Sequence, residues 1–171
     1  MKKILNILIV LIFSATLTLS ILLSTQIKER NDFVVSLTLQ YLTNIKLATD
    51  KIERLVLADD LGEDELLVNA AYDLIEANAL PINSHFIGSK VRVDHRLQWF
   101  INEAGVTTLS LVNKSNELSQ NNKETLFNIY EDLKSVVSAY EREPAFTEHL
   151  SKTLTIEEVQ ALIDKAYLQS N

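Results

Sequence analysis

After Met1-Lys2-Lys3 the chain runs from Ile4 to Thr25 with no charge and no proline, and Asn6 is the one strongly polar side chain in the run. Wound as a helix, that stretch is about 33 Å long, enough to cross the hydrocarbon core of a bilayer. No stretch after it is comparably apolar. The first constraint on the fold is therefore a partition: an apolar end that avoids water, and a polar remainder that must build its own core.

Two readings of the apolar run compete. A cleavable signal peptide has a basic start, 7–15 apolar residues and a small-residue cleavage site. The basic start is present, but the run is too long and no A-x-A pattern closes it. The best cut, after Ser20, would leave Ile21-Leu22-Leu23 exposed at a new N-terminus. The expectation is an uncleaved signal-anchor over residues 1–25. The alternative is cleavage near residue 20 and a secreted or periplasmic protein. The absence of cysteine excludes a lipoprotein anchor. Lys2 and Lys3 on one side nearly balance Lys28 and Arg30 on the other, but long polar domains translocate largely regardless of local charge. This places the N-terminus in the cytoplasm and residues 26–171 outside.

The whole chain has 23 acidic and 16 basic residues. Setting aside Lys2 and Lys3 leaves 14 basic against 23 acidic residues after residue 25, a net charge of −9. Such a field repels nucleic acid, so no nucleic-acid partner is expected. Without cysteines, stability must come from packing rather than from disulfides.

Three glycines and two prolines are too few for the turns of a β fold. The periodicity is helical. Val34, Leu37, Tyr41, Ile45, Ala48, Ile52 and Leu55 step by three and four, and the pattern runs backwards through Ile27 into the membrane segment, so one long helix is expected. A stop follows at Asp59 to Gly62. A second helix carries Leu67, Ala70 or Ala71, Leu74 and Ala77 and ends near Leu80, before Pro81. Residues 81–89 read as a loop. A third, from about Lys90 to Ser119, carries Leu97, Ile101, Ala104, Thr108 and Leu111, with Gly105 inside it either for close packing or for a bend. A fourth carries Leu126, Ile129, Leu133, Val136 and Tyr140 and ends before Pro144. A fifth starts at Thr155 with Glu158 in capping-box register and buries Val159, Leu162, Ile163 and Ala166. The expected class is all-α: a transmembrane helix, then an antiparallel four-helix-bundle-like domain with a shorter C-terminal fifth helix.

Catalytic patterns are missing. His85, His95 and His149 have no metal-ligating partner three or four residues away. There is no G-x-S-x-G elbow, no phosphate-binding glycine loop and no H-E-x-x-H pair. The carboxylates between Asp59 and Glu65 lack the spacing of a calcium loop. Asn113-Lys114-Ser115 matches the glycosylation pattern but falls in a helical stretch, where use is not expected. No enzyme activity, metal or cofactor is expected.

One cluster stands out. Lys90, Arg92, His95 and Arg96 gather positive charge in an acidic domain. In a continuous helix Arg92, Arg96 and Trp99 would share a face. Arginine and tryptophan are favoured interface anchors, so Arg92, His95, Arg96 and Trp99 form the candidate partner-binding site. The competing reading buries Trp99 under the fifth helix and pairs the arginines with surface carboxylates.

The layout of basic start, membrane helix and helical bundle is similar in outline to the four-helix sensor domains of bacterial chemoreceptors, a resemblance of architecture that no motif carries. It implies a bundle able to hold a small ligand between its helices. The chain departs from that pattern in having no second apolar run before Ser170-Asn171. The sequence thus leads to a membrane-tethered extracytoplasmic adaptor, accessory or assembly domain that binds another protein. The alternatives are a ligand-binding sensor bundle and a secreted helical effector. The seam of the first helix also suits pairing with a second copy.

Overall fold

The computed structural model describes residues 2–57, 64–79, 91–112, 119–148 and 154–170. All regular structure among them is helical: α1 (Lys2–Leu57), α2 (Asp64–Ala79), α3 (His95–Leu111), α4 (Gln120–Glu141), α5 (Pro144–Thr147) and α6 (Ile156–Gln169). The chain divides into two compact units, Met1–Phe33 and Val34–Asn171.

The first unit is the first part of α1, a helix unbroken because no glycine or proline precedes Gly62. By length and composition α1 is long and apolar enough to cross a membrane. The successive residues Ile9, Val10, Leu11, Ile12 and Phe13 point in five directions around it, and each is more than half exposed. The hydroxyls turn inward on their own helix. Ser14 donates to the Leu11 carbonyl at 3.0 Å, Thr18 to that of Ser14 at 2.9 Å and Thr25 to that of Ile21 at 3.0 Å. A hydroxyl paired in this way needs no water.

The second unit has a continuous core. Along α1, Val34, Tyr41, Ile45, Ala48, Ile52 and Leu55 are buried, the line that the three-four spacing predicts. Leu42 joins them, and Leu37 stays half-buried. Polar groups at the edge of this line fix its neighbours. On α4, the Tyr140 hydroxyl donates to the Leu42 carbonyl at 2.8 Å, Tyr130 to Glu53 at 2.5 Å, and Glu141 pairs with Lys46 at 2.8 Å. Higher numbers on one helix meet lower numbers on the other, so these segments run antiparallel. Partial burial works against the Lys46 charge, but its hydrogen bonds to Glu141 and Asp50 outweigh that effect and raise its pKa. On α2, Asp73 pairs with Lys51 at 2.5 Å.

α2 and α3 form a close pair. Asn78 Nδ2 donates to Asn102 Oδ1 at 3.3 Å. A Cβ placed on Gly105 would lie 3.1 Å from Ile75 Cγ1 and 3.1 Å from Leu74 Cβ. The glycine serves close packing: the two backbones approach nearer than most side chains permit. α4 and α6 form the other pair, tied by Ser135 to Gln169 at 3.3 Å, and Lys165 of α6 pairs with Glu143 at the start of α5. The Thr155–Glu158 capping box starts α6, and Val159, Leu162, Ile163 and Ala166 are buried as the spacing predicts.

Three details differ from the sequence expectation. The third helix does not start near Lys90. Asp94 takes an extended backbone (φ −62°, ψ 140°) and its carboxylate accepts the Arg96 N–H at 2.8 Å, so the helix starts at His95. Ser119 does not end that helix; it caps α4 by accepting the Asn122 N–H at 3.2 Å. A short helix, α5, follows Pro144, which suits a first helical position because its missing N–H has no intrahelical partner. α5 places Phe146 edge-on against Tyr140, ring centres 5.1 Å apart. The expected stop at Asp59 to Gly62, the loop 81–89 and the Asn113-Lys114-Ser115 triplet lie outside the described residues.

Two buried tyrosines make opposite predictions from the same chemical change. The Tyr140 hydroxyl is bonded, whereas the Tyr41 hydroxyl has no partner among the described residues. Tyr140→Phe is expected to lower stability by about 1 kcal/mol, and Tyr41→Phe to raise it by a similar amount, read from urea unfolding midpoints. Burial holds both phenols above the usual tyrosine value of about 10. The unfolded chain therefore ionises first as pH rises. This contribution to stability is complete below about pH 10 and is lost as pH climbs towards the folded-state values. The double Phe variant is expected to flatten that alkaline loss. Gly105→Val, which puts a branched side chain against Ile75 and Leu74, is expected to cost about 1–3 kcal/mol in the same assay.

Candidate functional site

Residues 91–94 lead into α3 with alternating burial: Val91 and Val93 are buried, Arg92 is exposed. Alternation of this kind marks a strand-like path, whose successive side chains point to opposite sides. What holds the path is a side chain from α6. The Arg92 N–H donates to Gln160 Oε1 at 2.7 Å, and Gln160 Nε2 donates back to the Arg92 carbonyl at 3.0 Å. The same nitrogen also donates to Asp164 Oδ1 at 2.8 Å. The amide of Gln160 thus stands in for the neighbouring strand that an extended backbone needs.

This geometry separates the candidate residues. Arg92 precedes the helix and does not share a helical face with Arg96 and Trp99. The latter two are one turn apart on α3, and both are exposed. Trp99 is 65% exposed, so the alternative in which it packs under the last helix does not hold. The His95 side chain is 84% exposed, with Nδ1 3.5 Å from Asp94 Oδ1. Among the described residues no carboxylate reaches the guanidinium of Arg92 or Arg96 within ion-pair distance. The group is a set of exposed cations and one exposed indole, held on one side by the Asp94 cap and on the other by the Gln160 clamp.

Beside it lies a cleft of about 610 Å³, bordered by Arg92, His95, Gln160, Ile163, Asp164 and Tyr167. Asp94 also faces this cleft, so its acidic and basic groups alternate and no one sign of charge dominates. A smaller cleft of about 360 Å³ lies between the end of α1 and the start of α4, bordered by Val56, Lys123, Glu124 and Phe127. Among the described residues no three His, Asp or Glu side chains are placed to hold a metal ion. His85 and His149 lie outside the described residues.

Two features escaped the sequence reading. Gln160 is 68 positions from Arg92, and nothing in its local sequence announces the clamp. Tyr72 on α2 and Val106 on α3 are exposed apolar residues off the buried lines. Their signal was present as a second helical period, masked by the stronger buried one.

Comparison with protein families, with curated proteins and with solved structures returns no match for this chain.

Removing the clamp is expected to act on the path and not on the exposed group. Gln160→Ala should lower stability by about 1 kcal/mol and speed hydrogen exchange at the Arg92 amide. Trp99→Ala should change stability by no more than about 0.5 kcal/mol, because so little of the indole is packed.

Proposed function

We propose that this chain is a membrane-anchored extracytoplasmic helical domain that binds another protein, an adaptor, accessory or assembly factor without catalysis. The observation that carries this reading is α1. Its first part exposes large apolar side chains all round, while from Val34 onward the same helix is part of a core. A helix apolar on every side is stable only inside a large core or in lipid. In this reading residues 1–25 are the uncleaved anchor, with the N-terminus cytoplasmic, and residues 26–171 lie outside. The second part of α1 with α2, α3 and α4 makes an antiparallel four-helix bundle, and α6 is the shorter helix added to it.

The binding group is Arg92, His95, Arg96 and Trp99. Its support is physical: an exposed tryptophan near guanidinium groups that no carboxylate among the described residues reaches has the composition of interface anchors. The charge on the rest of the domain is negative, which sets this patch apart electrostatically.

In membrane fractionation the full-length chain is expected to stay in the bilayer after carbonate extraction, with residues 26–171 open to protease from outside the cell. Full-length protein in the soluble fraction overturns the anchor. A photo-crosslinking residue at position 99 in intact cells is expected to capture one protein, and Arg92→Glu with Arg96→Glu to abolish that capture. Absence of any adduct overturns the binding role.

A further inference from the structure

The contacts of α2 and α3 fix which of their sides face outward. On α2, the line of Leu67, Ala70, Leu74 and Ala77 faces the core. Asp73 reaches α1 on one side, and Ile75 meets Gly105 of α3 on the other. Round towards solvent on the α3 side lie Val68, Tyr72 and Ala79, which with Ile75 form a line at helical steps of four, three and four. On α3, Gly105 and Asn102 meet α2. Next round towards solvent come Trp99 and Val106, with half-buried Leu109 between Gly105 and Asn102. Two apolar stripes therefore border one seam, and Tyr72, Trp99 and Val106 are 59%, 65% and 54% exposed. The stretch from Val68 to Ala79 is about 16 Å, or three helical turns.

The charges around the stripes have a definite arrangement. Glu65 and Glu76 flank it on α2 and Glu103 on α3, all exposed and without a basic partner among the described residues. His95 and Arg96 stand at one end. Glu76 and Glu103 sit at the same level along the seam, since 78 pairs with 102 and 75 with 105. A second copy packed with its helices in the same sense would bring these carboxylates together across the contact. An anionic lipid surface meets the same three carboxylates.

We propose that the α2–α3 seam is a docking groove for an amphipathic helix of a different protein, about three turns long, with an apolar face flanked by lysine or arginine. An apolar face on the seam covers Trp99, Tyr72 and Val106, and the flanking cations meet Glu65, Glu76 and Glu103. This rests on the reading of the chain as a protein-binding domain and adds where the partner lies and what it is made of. The partner shares Trp99 with the group described above, and at that end of the groove, where His95 and Arg96 stand, its helix carries an acidic residue.

The single tryptophan of the chain is the reporter. The full-length protein in dodecyl maltoside micelles is titrated with two tryptophan-free synthetic helices, one with a leucine face flanked by lysines and its twin flanked by glutamates. The lysine peptide is expected to shift Trp99 emission to the blue, shield it from acrylamide, and bind at least tenfold more tightly than its twin. Val106→Glu or Tyr72→Glu should remove that shift while leaving the circular dichroism unchanged. The triple change Glu65→Lys, Glu76→Lys, Glu103→Lys should reverse the preference. Equal response to both peptides, or a response insensitive to Val106→Glu, overturns the proposal. So does shielding of Trp99 that grows with protein concentration alone, which makes a second copy the occupant. Capture from position 99 in cells combined with failure of the peptides sinks this groove and keeps the binding role; failure of the capture sinks both.

Discussion

The buried line from Val34 to Leu55 on α1 is the constraint on which the rest of the second unit depends. Contacts to α2 and α4 start from the polar groups at its edge. Leu42 offers a backbone carbonyl to Tyr140 although that carbonyl already belongs to a helix. Lys46, Lys51 and Glu53 reach Glu141, Asp73 and Tyr130. Burial supplies the energy, at about 1.5–3 kcal/mol for each large aliphatic side chain taken out of water. The polar contacts at the edge add less energy and more direction. They fix which turn of α4 lies against which turn of α1, because a buried carbonyl or hydroxyl left unmatched costs more than the bond itself returns.

The exposed group is positioned by local backbone bonds. Asp94 ends one conformation and starts another: extended before it, helical after it. Gln160 then holds the extended part by both its backbone N–H and its carbonyl. The result is a fixed backbone path under side chains that stay largely exposed. Trp99 and Val106 are exposed not because the core has no room but because α3 already buries a full line of five residues on its opposite side. A helix that buries one stripe and carries a second has more apolar surface than its own domain can cover.

Much of this was legible in the sequence. The helical class, the unbroken first helix, the buried lines of α2 and α6, and the capping box at Thr155 all follow from spacing and from local capping chemistry, as does the line of α4 except that Ile129 is half-buried and Tyr130 and Val137 join it. These features depend on residues within a few positions of one another. The start of α3 differs from the periodic pattern for a local reason: the period extends back through Arg92, but Asp94 is a preferred N-cap residue and its carboxylate takes the Arg96 N–H. Once Asp94 caps the helix, Arg92 leaves the face that it was assigned to. The α5 turn and the Gln160 clamp had no comparable signal. The clamp joins residues 68 positions apart, and a glutamine on a helix surface looks the same whether or not a backbone lies across it.

Composition and period alone determined that this chain has an apolar end about one bilayer long, an acidic helical remainder, and a set of faces that must be buried. Those properties belong to single helices, and a single helix has only its own sequence to obey. Tertiary structure decided which apolar residues found cover and which did not. Tyr72, Trp99 and Val106 are as hydrophobic as many that are buried, and only the placing of α2 against α3, brought close by Gly105, leaves them facing water. Exposure is a property of neighbours, and neighbours are set by packing between segments that the sequence keeps far apart.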